Sequence, residues 1–192
     1  MILEAAVACL ARRKGEIYGK KAFQKYMYFL SSRGVPLPLT FRIYHFGPFS
    51  RELDEQMEHF EMLGAIQTRL REGGRSGASP YVVITPGKNA DEIIGGADEF
   101  VECYGPVIED VVRRLPSEPL ELELLSTVHF VAESIRALSG SDFSDKKETV
   151  SEVLKIKKDK FDESKVSAAF DDLVKWEWLP APATGESPRG AV

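Results

Sequence analysis

Basic and aromatic side chains in the first half of this 192-residue chain have the types and spacing to bind a partner. Lys21, Lys25 and Tyr28 fall on one face of a predicted helix, opposite an apolar stripe with i, i+3, i+4, i+7 spacing. A cation beside an aromatic ring suits an acidic protein surface or a phosphate. We therefore expect this face to be exposed. The candidate partner-binding residues are Lys21, Lys25, Tyr28, Tyr44, His45, Arg51, Arg71 and Arg75.

Catalytic and metal-binding patterns are missing from the sequence. The best local pair, Glu55 and His59 at i and i+4, supplies two ligands where zinc needs three or four. Cys9 lies among alanine and leucine with no cation in its own turn, so we interpret it as a small core residue. His129 has apolar neighbours and is predicted to be partly buried and hydrogen-bonded. The sequence thus predicts no enzyme, no metal and no cofactor.

The elements that must position these residues follow the order of a winged helix over residues 1–86. Helices are predicted at Ile2–Leu10 and Lys20–Ser32, a strand at Phe41–Phe46, a third helix from the Ser50 cap, and paired strands at Ile66–Leu70 and Tyr81–Thr85. Gly47-Pro48 is predicted to end the first strand and to aim the third helix, a role that suits positive φ at Gly47. Residues 71–80 are rich in glycine and serine and are predicted to form a flexible wing tip.

Residues 87–179 predict a helical C-terminal half, and residues 180–192 a disordered tail. Gly105-Pro106 should kink or split the first long helix, because Pro106 has no N–H to donate. Asp145 and Asp162 are predicted helix caps, and the stripe from Leu120 to Leu138 suits either a core face or a dimer seam. The predicted fold class is mainly α with a small β-hairpin: a winged-helix-like N-terminal unit plus a helical C-terminal half. The short connection between the halves leaves one compact domain open.

Composition and charge narrow the functional classes. The chain has a net charge of -5, no apolar run of the roughly 20 residues that span a bilayer, and two cysteines far apart. These features predict a cytoplasmic protein with reduced thiols and no membrane association. Between Arg51 and Glu61 the third helix has one Arg against four Glu and one Asp, which disfavours insertion into a DNA groove.

Three short patterns carry a family resemblance. They are the K-x-x-Y-F/Y-L type helix at Lys25–Leu30, the aromatic and Gly-Pro-Phe segment at Tyr44–Phe49, and the Leu-Gly-x-Ile turn at Leu63–Ile66. In combination the chain resembles the uncharacterised prokaryotic YwgA-like proteins and, more distantly, the Panacea domain of toxin–antitoxin systems. The resemblance implies a helical, winged-helix-like protein with an antitoxin-like role, and it supplies no catalytic residues.

The sequence therefore predicts a non-enzymatic interaction or regulatory module that binds a protein partner. The alternative is a winged-helix DNA-binding transcriptional regulator, favoured by the element order and by basic residues on the second helix and the wing. Homo-oligomerisation is left open.

Overall fold

The computed structural model describes residues 2–72 and 80–180, and it is mainly helical with two small antiparallel sheets. The predicted fold class, mainly α with a small β-hairpin, is confirmed. Arg75 and residues 181–192 of the predicted tail lie outside the described residues. The helices are α1 (Ile2–Lys14), α2 (Lys20–Ser32), α3 (Arg51–Glu55), α4 (Met57–Met62), α5 (Ala90–Gly95), α6 (Asp98–Arg114), α7 (Pro119–Ser139), α8 (Lys146–Lys157) and α9 (Glu163–Lys175), and a short 3-10 helix spans Lys158–Lys160. The strands are β1 (Ile17–Tyr18), β2 (Arg42–Tyr44), β3 (Gly47–Phe49), β4 (Ile66–Arg71) and β5 (Tyr81–Pro86).

The larger sheet has the strand order β1-β5-β4, with both neighbours antiparallel. Ile17 and Thr68 lie opposite Ile84 on its two sides, so these side chains share one face of the sheet. Ile17, Ile66 and Ile84 on this face are almost completely buried. Farther along β4, Leu70 is 74% exposed because the β4–β5 hairpin extends past the core.

The chain divides into two compact units, the first ending at Glu123 and the second starting at Leu124. In the first unit, α5 and α6 pack against α1, so this unit extends past residue 86, where the sequence analysis placed a boundary. All residues from Ala5 to Ala11 in α1 are buried, and the four alanines among them allow these neighbours to approach closely.

Of the kink or split predicted at Gly105-Pro106, the split is wrong, because α6 is one continuous helix from Asp98 to Arg114. Gly105 is buried, and a Cβ there would lie 3.0 Å from the Arg13 guanidinium. Pro106 itself is exposed, so the carbonyl that loses its helical partner can bind water. Packing against α1 and α2 therefore overrides the local preference for a split.

The second unit contains most of α7 together with α8 and α9. The side chain of Asp145 accepts a hydrogen bond from the backbone N–H of Glu148 at 2.8 Å, which confirms the predicted cap. Asp162 stands at the N-cap of α9 without a side-chain cap bond. His129 is 2% exposed, and its Nε2 lies 3.2 Å from the backbone oxygen of Trp178, as the sequence predicted for a buried histidine.

The α7 stripe left two interpretations open, a core face or a dimer seam. Its centre is buried at Leu124, Val128 and Val131, whereas Leu120 and Leu138 at its ends are exposed.

Among the described residues, no helix is long and apolar enough to cross a membrane.

Candidate functional site

The β2–β3 hairpin presents aromatic side chains at its tip. His45 and Phe46 form the turn between the paired residues Tyr44 and Gly47. Gly47 has a φ of 87°, in the left-handed region that residues with a Cβ rarely adopt. The predicted strand Phe41–Phe46 is wrong in its extent, because β2 ends at Tyr44, the chain turns at His45 and Phe46, and Gly47-Pro48 begins β3 instead of ending the first strand. The positive φ that the prediction required at Gly47 is present. Tyr44 is 56% exposed, Phe46 is 46% exposed, and His45 is exposed.

Two cations belong to the same part of the molecule. The Nζ of Lys21 stands 3.1 Å from the centre of the Phe46 ring, and Arg42 at the start of the hairpin is exposed. This cation–π contact joins two side chains that are both exposed to solvent. We name the group formed by Lys21, Arg42, Tyr44, His45 and Phe46 the hairpin surface.

Lys25 and Tyr28 contradict the sequence prediction, because both are buried. Lys25 is 3% exposed, and its Nζ donates a 2.7 Å hydrogen bond to the backbone oxygen of Pro48. Tyr28 is 6% exposed and packs edge-on against Phe41, with ring centres 5.4 Å apart. The apolar stripe of α2 faces the core as predicted, but the hairpin covers the opposite face. Both residues therefore support the hairpin rather than bind a partner directly.

Gln24 fixes the base of the same hairpin. Its Nε2 donates to the backbone oxygen of Ser50, and its Oε1 accepts from the backbone N–H of Ser50, both at 2.9 Å. Ser50 is fully buried, and its hydroxyl accepts from the N–H of Leu53 at 3.4 Å, which confirms the predicted N-cap. One side chain of α2 thus holds both the end of β3 and the beginning of α3.

The predicted third helix is divided at Gln56 into α3 and α4, and it exposes an acidic face. All five of its carboxylates are exposed: Glu52, Asp54, Glu55, Glu58 and Glu61. The pKa of Glu52 is held below its usual value, mainly by its own backbone N–H and by the Ser50 hydroxyl, with a smaller effect of Arg42. Arg51 is exposed and lies 3.5 Å from Glu55, so its charge is partly offset on the same face.

Arg71 lies at the end of β4, in a different sheet from the β2–β3 hairpin. Its Nη2 donates to Oε1 of Glu16 at 3.2 Å, and the other carboxylate oxygen of Glu16, Oε2, accepts a 2.8 Å bond from the hydroxyl of Tyr18. The Tyr18 bond, with help from Arg71, keeps the pKa of Glu16 low. The predicted set is therefore brought together only in part. Lys21, Tyr44 and His45 share the hairpin surface, whereas Arg51 lies on α3 and Arg71 on the β4–β5 hairpin.

Phe46 and Arg42 belong to the hairpin surface but were missed by sequence reasoning. The signal was present as a two-residue interval between Tyr44 and Gly47, which is the length of a tight turn. A bulky aromatic residue in such a turn has little core to pack against. This pattern would have indicated exposure of Phe46.

The remaining chemical groups lie apart from this surface. Cys9 is fully buried, and burial raises the pKa of its thiol despite the opposing effect of Arg13. Cys103 is exposed. Within residues 2–72 and 80–180, no group of three or more His, Cys, Asp or Glu side chains has an arrangement that could hold a metal ion.

In a comparison with known proteins, no protein-family model and no curated protein matches the chain.

Proposed function

We propose that the protein is a non-enzymatic interaction module that binds an acidic surface of a partner protein through the hairpin surface. The observation that carries this proposal is a pair of exposed rings, Tyr44 and Phe46, accompanied by the cations Lys21 and Arg42. Aromatic residues and arginine are enriched at the centres of protein interfaces.

The support under the hairpin surface strengthens the proposal. Lys25 and Gln24 bind backbone groups of β3 and of the residue after it, so the hairpin is held before any partner arrives. A preformed surface loses less conformational entropy on binding than a flexible one does. Exposed rings on such a rigid support are therefore suited to act as anchors.

A regulatory role of the antitoxin type is the finer form of this proposal. The element order from α1 to β5 is consistent with a winged-helix-like unit, as is the strand order β1-β5-β4. That element order is helix, strand, helix, hairpin, helix pair and second hairpin. In this role the hairpin surface would bind the partner, and the wing, which is the β4–β5 hairpin, would make no contact with it.

Binding to DNA is the second candidate, favoured by exposed Arg69 and Arg71 on the β4–β5 hairpin. The acidic face of α3 and α4 opposes it, because carboxylates repel phosphates and release no counterions from the duplex. We expect no retardation of random duplex at about 150 mM salt. Enrichment of a defined duplex motif in a selection experiment, lost when Arg51 and Gln56 are replaced, would support this candidate over the first.

Affinity capture with the full chain tests the proposed function. The test variant combines Lys21→Glu with Phe46→Ser, and the matched control combines Lys155→Glu with Leu138→Ser, which makes the same kinds of change at exposed residues of the second unit. From a lysate of the source cells, wild type and control should capture the same protein. The test variant should recover at least about tenfold less of it, equivalent to roughly 1.4 kcal/mol. Equal recovery by a folded test variant would contradict the proposal.

A further inference from the structure

A cleft of about 690 Å³ opens in the first unit, between the N-terminal ends of α1, α5 and α6 and the C-terminal end of α4. Its volume is within the range of about 300–1,000 Å³ that is typical of ligand sites. Leu63, Ile93 and Phe100 contribute to an apolar floor. No residue of the hairpin surface lines this cleft, so the hairpin of a given copy does not occupy the cleft of the same copy.

The rim of the cleft is acidic. Glu92, Asp98 and Glu99 line it, and its lining within the described part of the chain includes no lysine or arginine. Each of these carboxylates lies in the first turn of its helix, where it also complements the positive end of the helix dipole. Glu4, in the first turn of α1, also lines the cleft. These four carboxylates outweigh the half charge that each of the three helix ends contributes. The rim therefore keeps a negative balance and favours a cationic occupant.

The chain itself carries a surface with the complementary chemistry. The hairpin surface offers an aromatic ring, Phe46, with the ammonium group of Lys21 standing on it. The ring matches an apolar floor, and the cation matches a carboxylate rim. A cleft of this size admits one or two side chains of the kind that project from the hairpin tip.

We propose that the cleft receives the hairpin surface of a second copy of this chain. This inference rests on the proposed function, because it names the partner of the same hairpin surface. The contact is heterologous: a hairpin on one copy meets a cleft on the next. Two such contacts close a dimer, and single contacts in series make an open chain.

Charge reversal at each side of the contact provides the test. Lys21→Glu changes the hairpin surface, and Glu92→Lys changes the cleft rim. The matched controls are Lys147→Glu and Glu163→Lys, because both residues are exposed and occupy the first turns of α8 and α9. Sedimentation velocity on the full chain, from about 1 to 300 µM, covers the affinities expected for a small interface.

We expect wild type and both controls to self-associate in this range, and each test variant to show at least about tenfold weaker association. An equimolar mixture of the two test variants should regain association. In that mixture the charge-reversed hairpin of one variant meets the charge-reversed cleft of the other, while the unaltered hairpin and the unaltered cleft also meet. Added salt should weaken the wild-type complex, because the contact is partly ionic.

A wild-type chain that stays monomeric across the range would overturn the inference, as would association that survives both test variants. A mixture of test variants that stays monomeric would overturn it as well. If the monomeric wild type still captures a different protein through the hairpin surface, the proposed function stands and only this inference fails. If folded hairpin variants capture as much protein as wild type and the chain is monomeric, the proposed function and this inference both fail.

Discussion

Replacing Gln24 by leucine should destabilise the first unit, because Gln24 is the side chain that connects α2 to Ser50. Leucine keeps a similar volume but binds neither backbone group. The Ser50 N–H, now bonded at 2.9 Å, would lose its partner in a buried position, at a cost of about 1–3 kcal/mol. The Ser50 oxygen keeps the N–H of Asp54 at 3.3 Å and loses one bond, at a cost of about 0.5–1.5 kcal/mol. We expect a net loss of about 2–4 kcal/mol in the free energy of unfolding.

Urea unfolding followed by far-ultraviolet circular dichroism measures this loss. Tryptophan fluorescence is less suitable, because Trp176 and Trp178 both lie in the second unit. Gln67→Leu is the matched control, since Gln67 is exposed on β4 and its replacement should change stability by less than about 0.5 kcal/mol. If Gln24→Leu falls within about 0.5 kcal/mol of this control, the hydrogen bonds to Ser50 do not hold the hairpin as argued.

Three further changes test other parts of the structure. Lys25→Glu should destabilise the fold by about 3–5 kcal/mol, because a buried carboxylate would face the Pro48 oxygen. The exposed counterpart, Lys21→Glu, should lie within about 0.5 kcal/mol of wild type. Similar melting temperatures of the two variants would contradict the burial assigned to Lys25 and the exposure assigned to Lys21. Gly47→Val should cost about 1–3 kcal/mol at its φ of 87°, and a variant that melts with wild type would exclude this role of the turn. A thiol reagent should modify Cys103 rapidly and Cys9 only on unfolding, because Cys9 is buried and its pKa is raised; two fast thiols in the native protein would contradict the packing of α1.

Local patterns in the sequence predicted most helices, the β4–β5 hairpin and the Ser50 cap. They could not predict the burial of Lys25, because its partner Pro48 lies 23 residues away and covers the polar face of α2. A helical wheel describes only one helix, so it cannot show that a hairpin inserted after α2 folds back over its polar side. Strand β1 was missed for a different reason: its two residues are too few to show alternation.

The candidate site was predicted in part. Lys21, Tyr44 and His45 were identified from residue type, and the structure brings them together with Phe46 and Arg42. The acidic cleft had no local signal, because its lining combines the consecutive helices α5 and α6 with α1 and α4, which are distant from them in sequence. Such a site becomes visible only when α5 and α6 pack against α1.

Site-specific photo-crosslinking tests the central claim, that the hairpin surface binds protein, most directly. A photoreactive phenylalanine analogue in place of Phe46 keeps the aromatic ring at the tip of the hairpin. The same analogue in place of Leu138, which is 89% exposed in the second unit, is the control for random encounter. On irradiation of cells that express the full chain, we predict a discrete protein adduct at position 46 that is lost with Lys21→Glu and is absent at position 138. No adduct at position 46, or an adduct to nucleic acid alone, would contradict the account.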